Sequence, residues 1–163
     1  MHDQSVAVFD HFLGALSKVL AKAEAHCEAH KIDPAALLTA RLFPDMFTFT
    51  RQVQLATDFA KGPSARLAGV DIPSFEDTET TFGTLQARIA KTREFLATIT
   101  PAMLDGAAMR TIRFRARGQD HEAPGRAYLS MVALPHFYFH ATTAYNILRH
   151  NGVELGKGDF VGR

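Results

Sequence analysis

Apolar residues recur at three- and four-residue steps in four long stretches of the chain, which is the pattern of amphipathic helices. These stretches cover residues 5–30, 45 to 61 or 67, 77 or 78 to 99, and 125–150. A fifth start signal, Asp33-Pro34, predicts one short additional helical turn. Pro63 and Pro135 fall inside the second and the last stretch, where a missing N–H bends a helix or costs it a hydrogen bond.

One segment has a different period. Between residues 111 and 117 apolar and polar side chains alternate, which predicts a short strand. Residues 118–120 are typical of a turn, and residues 121–123 of a return strand. The pattern as a whole therefore predicts an all-α fold, a four-helix bundle formed by residues 1–163 as a single domain, with a small β-hairpin before the last helix.

Composition narrows the classes of function. With 18 basic and 17 acidic residues the net charge is +1, so no general attraction to nucleic acid or anionic membranes is expected. No apolar run reaches the ~18 residues that a membrane-spanning helix needs. Cys27 is the single cysteine, which precludes an intrachain disulfide and fits a reducing compartment. We therefore expect a cytoplasmic protein with no membrane and no nucleic-acid partner.

The most distinctive candidate site is a pair of histidines in the last helix. His136 and His140 lie four residues apart in an aromatic-rich segment, and this spacing places them on one helix face. A buried imidazole needs a polar partner, because an unpaired buried polar group costs about 1–3 kcal/mol. Asp45 and Gln52, seven residues apart, share one face of the second predicted helix. The predicted pocket therefore consists of Asp45, Gln52, His136 and His140.

Several longer stretches carry a family resemblance: residues 37–47, 51–54, 65–69, and 140–153 continuing into 156–160. Together they resemble an uncharacterised bacterial family, a domain of unknown function, placed near the DinB-like (YfiT-like) metalloenzyme superfamily. The resemblance implies a bundle of DinB-like topology that forms a homodimer. In the wider superfamily a His of the second helix and a His-x-x-x-His pair of the last helix bind a divalent metal. His136 and His140 match that pair, whereas the second helix of this chain contains no His.

These residues leave three interpretations open. A catalytic divalent metal takes about three protein ligands and an open position, and His136, His140 and Asp45 are the candidate ligands, with Gln52 orienting them. Without a metal, a buried His–Asp pair is a candidate for acid–base chemistry on a small molecule. The third interpretation is a non-catalytic bundle that binds a small ligand or dimerises, in which the polar cluster is structural. The reaction and the substrate stay open.

Overall fold

The computed structural model describes residues 1–116 and 118–163. The predicted strand residue Arg117 lies outside these described residues. The elements are mostly helical: α1 (Val6–His30), α2 (Pro34–Leu38), α3 (Phe49–Ala68), α4 (Phe82–Ala97), β1 (Thr111–Ala116), β2 (Gln119–Pro124), α5 (Gly125–Tyr128), α6 (Leu134–His150) and α7 (Lys157–Phe160), with 3-10 turns at His2–Gln4 and Pro101–Leu104 and a π turn at Leu129–Ala133.

The core lies between the four longest helices. α3 packs against both α4 and α6, and α1 packs against α4, α6 and α3. Phenylalanine rings dominate this core: those of Phe9 and Phe137 meet edge to face with centroids 5.0 Å apart. Phe49 and Phe82 are also completely buried. The prediction of a mostly helical fold is therefore confirmed. Among the described residues, no helix is long and apolar enough to cross a membrane.

The start of α3 differs from the prediction. Thr48, not Asp45, is the N-cap residue, and its side chain accepts a hydrogen bond from the N–H of Arg51. Asp45 lies in an exposed turn before the helix. The predicted start was wrong because Asp and Thr are both good N-caps, and only the fold shows which one has extended backbone at the helix entry. Asp45 and Gln52 therefore do not share a helix face.

The start of α4 also lies later than predicted. Thr81 and Thr84 form a capping box, so the helix begins at Phe82 rather than at Asp77 or Thr78. Asp77 forms ion pairs with arginines instead. Residues 70–80, which precede the cap, contain no helix or strand and run along α3 and α4 as an extended segment.

The predicted hairpin is confirmed. β1 pairs antiparallel with β2, with Thr111 opposite Pro124 and Ala116 opposite Gln119. The next residue, Gly125, connects the hairpin to the last helices at a point of close backbone approach. A Cβ atom there would lie 2.0 Å from the carbonyl oxygen of Ala107, so only glycine fits.

The last predicted helix is divided by the π turn. The N–H of Leu134 donates to the carbonyl of Leu129, five residues earlier, which is the π pattern. Pro135 follows directly, in a helical path that runs on from the π turn through Ala133 and Leu134, and having no N–H it donates no hydrogen bond to the preceding turn. The disturbance expected from Pro135 therefore coincides with the π turn, which lies just before His136 and His140.

Candidate functional site

His140 is the centre of the site. It lies on α6 with 7% of its surface exposed. Its Nδ1 is 2.8 Å from Oε1 of Gln52 on α3. The orientation of the Gln52 amide is set because its Nε2 donates to the carbonyl of Phe47, at 3.4 Å. Since an amide oxygen only accepts, Nδ1 of His140 carries the proton and Nε2 is an unprotonated acceptor.

The surroundings of His140 keep it uncharged. Burial, followed by the nearby His136 and Arg51, lowers the pKa of His140 from 6.5 to about 4, and Asp58 offsets this only in part. Burial dominates because a charged imidazolium loses its hydration there. At neutral pH His140 is therefore a hydrogen-bond acceptor and not a cation.

His136 repeats this arrangement one helical turn earlier, at the surface. Its side chain is exposed, and its Nδ1 lies 2.8 Å from the carbonyl oxygen of Val132 in the π turn. A carbonyl oxygen also only accepts, so Nδ1 of His136 is the donor. Phe59 of α3 stacks on both rings, with centroids 4.6 Å from His136 and 5.6 Å from His140 and interplanar angles of 17° and 19°.

The three-ligand metal site implied by the superfamily is not assembled. Asp45 stands in its exposed turn, outside the helix face that carries Gln52. Within residues 1–116 and 118–163, no group of three His, Cys, Asp or Glu side chains is placed to hold a metal ion. Gln52, the side chain of α3 that does reach His140, uses its oxygen on the Nδ1 proton. The set His136, His140 and Asp45 therefore does not fit a catalytic divalent metal.

Beside the site lies a buried ion network that the sequence did not reveal. Arg88 of α4, with 4% of its surface exposed, lies at the centre of this network. The guanidinium donates to Thr57 at 2.7 Å, to Asp58 at 2.9 Å and to Glu79 at 3.0 Å. Such contacts compensate for the burial of the charge. The only signal in the sequence is that Arg88 interrupts the apolar stripe of this helix between Leu85 and Ile89.

This network holds the extended segment, residues 70–80, against α3 and α4. Asp77 lies 3.0 Å from the Arg88 guanidinium and also pairs with Arg51. Phe75 lies under two ammonium groups, that of Lys61 at 4.9 Å and that of Lys91 at 4.3 Å. Arg51 and Asp58, which both influence the pKa of His140, are thus held by the same network.

A cleft of about 860 Å³ lies elsewhere, between α1 and the C-terminal tail. Lys22 and Asp159, both in its lining, pair across it at 2.7 Å. His30 and Arg149 lie in the last turns of α1 and α6, where positive charge complements the helix dipole. These features stabilise the tail, and neither His140 nor Gln52 lines the cleft.

Comparisons with known proteins agree with this fold. The chain is similar to a solved structure described as a DinB family member protein from Shewanella denitrificans. The two are 41% identical over 99% of this chain and 92% of that chain, with a TM-score of 0.94. Among curated proteins, none matches. The model of the family described as "Domain of unknown function (DUF1993)" matches residues 1–161. The chain therefore belongs to the DUF1993 family, a domain of unknown function related to the DinB-like superfamily.

Proposed function

We propose that α1, α3, α4 and α6 form a DinB-type four-helix bundle that binds a small molecule between α3 and α6, at His140. One observation carries the proposal: Nδ1–H of a nearly buried, neutral imidazole donates a hydrogen bond to Oε1 of Gln52, which leaves Nε2 as an acceptor. Within the described residues Nε2 has no hydrogen-bond partner, yet it is not among the polar atoms sealed from solvent. A ligand with an N–H or O–H group can donate to this atom.

The low pKa of His140 and the position of Asp45 favour ligand binding over catalysis. An efficient general base has a pKa near the working pH. The pKa of His140, about 4, makes it a weak base at neutral pH. The carboxylate that an acid–base pair would need, Asp45, lies in the exposed turn instead. We therefore place metal-free ligand binding ahead of metal-assisted or acid–base enzymology.

Imidazole NMR on untagged protein tests this proposal. Small-molecule fragments are added to ¹⁵N-labelled chain, and the Nε2 resonance of His140 is followed. We expect some fragments to shift that resonance, and the His140→Ala variant to lose their binding. His150→Ala serves as the matched control, because His150 is an exposed histidine at the end of the same helix. A Nε2 resonance that no fragment moves, or stoichiometric metal lost on His140→Ala, would overturn the proposal.

A second candidate function is assembly into a homodimer. Large apolar side chains flank the site and are exposed: Phe47 by 54%, Met131 by 75% and Phe139 by 57%. A second copy of the chain would cover them. We expect a dimer mass by light scattering at micromolar concentration, and a monomer for Phe139→Glu. Met109→Glu, at an equally exposed position outside the site, is the control. A monomer mass for the unaltered chain would refute dimerisation.

The remaining expectations concern location and partners. A cytoplasmic location stays a prediction, supported by the buried free thiol of Cys27. The absence of a nucleic-acid partner is also untested, and two contacts support it. Arg113 of the hairpin pairs with Glu122 at 2.8 Å, and Arg115 donates to the carbonyl of Gly118 at 3.2 Å. These guanidinium groups are already engaged within the hairpin, which leaves less of their charge for phosphates.

A further inference from the structure

We infer that the cleft between α1 and the C-terminal tail, about 860 Å³ in volume, is a second binding site and takes a small zwitterion, a molecule that carries one carboxylate and one ammonium group. This inference does not rest on the proposed function, because neither His140 nor Gln52 lines the cleft. Three observations lead to it: the size and lining of the cleft, two opposite charges without partners in its wall, and two helix ends that border it.

The cleft has the size and the mixed lining of a small-molecule site. Pockets that hold small ligands measure ~300–1,000 Å³ and combine apolar walls with a few polar groups. Val153 and Leu155, both part of the hydrophobic core, contribute apolar surface here. His26 and His30 stand side by side on α1, with ring centroids 4.2 Å apart. The carbon chain of a small ligand would pack between these surfaces.

Two opposite charges in the lining have no partner among the residues that the structure describes. The guanidinium of Arg149 and the carboxylate of Glu154 both border the cleft, yet they pair neither with each other nor with another described residue. The chain reverses between them, since the N–H of Val153 donates to the carbonyl of Leu148 at 3.1 Å. A molecule with a carboxylate at one end and an ammonium group at the other would pair with both side chains.

The other permanent charges in the lining are already paired. Nζ of Lys22 lies 2.7 Å from Oδ1 of Asp159, and the N–H of Gly156 donates to Oδ2 of Asp159 at 2.8 Å. The hydrogen bond from Lys22, followed by that from Gly156, lowers the pKa of the Asp159 carboxyl group. Apart from the two imidazoles, an incoming ligand therefore meets one free cation and one free carboxylate rather than a surplus of either sign.

Two helix ends add to the case against a simple anion. His30 is the last residue of α1 and Arg149 lies in the last turn of α6, so the C-terminal ends of both helices border the cleft. A helix C-terminus carries a partial negative charge. Together with Glu154, this charge favours an ammonium group and opposes a ligand that is only an anion. Arg149 opposes a ligand that is only a cation, and a zwitterion satisfies both conditions.

Matched probes of three lengths test the inference: glycine, γ-aminobutyrate and ε-aminocaproate, each compared with the carboxylate and the amine of the same chain length. Dissociation constants are measured at neutral pH and fixed ionic strength from the shifts of the Val153 and Leu155 methyl resonances. We expect at least one zwitterion to bind about threefold or more tightly than both of its analogues, because one exposed ion pair strengthens binding by up to about fivefold.

Two substitutions identify the partner of each ligand charge. Arg149→Gln should remove the advantage of the zwitterion over the matching amine, because the ligand carboxylate loses its partner. Glu154→Gln should instead remove the advantage over the matching carboxylate. Arg126→Gln and Glu28→Gln remove the same charges from exposed positions outside the lining, and they should change neither comparison.

The outcomes distinguish this site from the one at His140. Equal binding of the zwitterions and their analogues at all three lengths would overturn the inference, and so would a preference that survives both Arg149→Gln and Glu154→Gln. Both positions are exposed, so these variants should fold as the unaltered chain does, which thermal unfolding verifies. Zwitterions that shift the His140 resonances but not those of Val153 would overturn the inference and support the proposed function.

Discussion

The neutral state of His140 makes the stability of the fold depend on pH. In the unfolded chain the imidazole has its ordinary pKa of 6.5, whereas in the folded chain the pKa is about 4. Between these values the unfolded chain binds more protons, so the free energy of unfolding falls as the pH falls. The contribution is fully present above pH 6.5 and is lost progressively toward pH 4.

The size of this effect follows from the two pKa values. Their difference corresponds to about 3 kcal/mol once both states are protonated. About 2 kcal/mol of this is reached at pH 5, before most carboxylates titrate. Because the side chain is only 7% exposed, little of the effect is screened by solvent. A loss of this size is a large part of the ~5–15 kcal/mol that stabilises a typical domain.

Urea denaturation at pH 7.5 and pH 5 measures this effect. The unaltered chain should lose about 2 kcal/mol more over this interval than the His140→Gln variant, which cannot titrate at that position. His150→Gln, a substitution at an exposed histidine, should behave as the unaltered chain does. Parallel pH dependence of the unaltered chain and His140→Gln would refute the reasoning, because the histidine would then be equally easy to protonate in both states.

Two further predictions concern stability. Arg88→Met removes the buried guanidinium that pairs with Asp58, Asp77 and Glu79, and should lower the free energy of unfolding by about 3–5 kcal/mol. The control Arg93→Met removes the half-exposed ion pair with Asp10 and should lower the free energy of unfolding by less than about 1 kcal/mol. Equal losses for the two variants in urea denaturation would contradict the stabilising role of the Arg88 network. Gly125→Ala places a methyl group 2.0 Å from a backbone oxygen and should abolish cooperative thermal unfolding or lower Tm by many degrees. Gly83→Ala, with its nearest atom at 3.8 Å, should leave Tm nearly unchanged, and similar behaviour of both variants would show that the contact relaxes easily.

Sequence periodicity predicted those parts of the fold that depend on local pattern. The observed bounds of α1, Val6–His30, agree with the prediction because its apolar stripe is long and Lys31 ends it in a left-handed conformation. The hairpin was predictable because a period of two is rarely mistaken for a helix. The helix starts were not, since Thr48 and Thr81 compete with nearby polar residues that cap a helix equally well.

The site was predictable only in part, because its contacts join distant segments. Spacing placed His140 in the helix that faces the core, but it could not show that Gln52, rather than Asp45, supplies the partner 88 residues away. The Arg88 network joins α3, α4 and the segment between them, and no local pattern reports such contacts. The only indication of this network in the sequence is that Arg88 interrupts an apolar stripe.

The π turn before α6 makes the rotation of the last helix depend on a single residue. Its hydrogen bond spans one residue more than that of an α-helix, and each residue of an α-helix turns the chain by about 100°. Deleting a single codon there, for instance that of the exposed Met131, would redirect every side chain of α6 relative to α3. Such a deletion is therefore expected to break the hydrogen bond between His140 and Gln52.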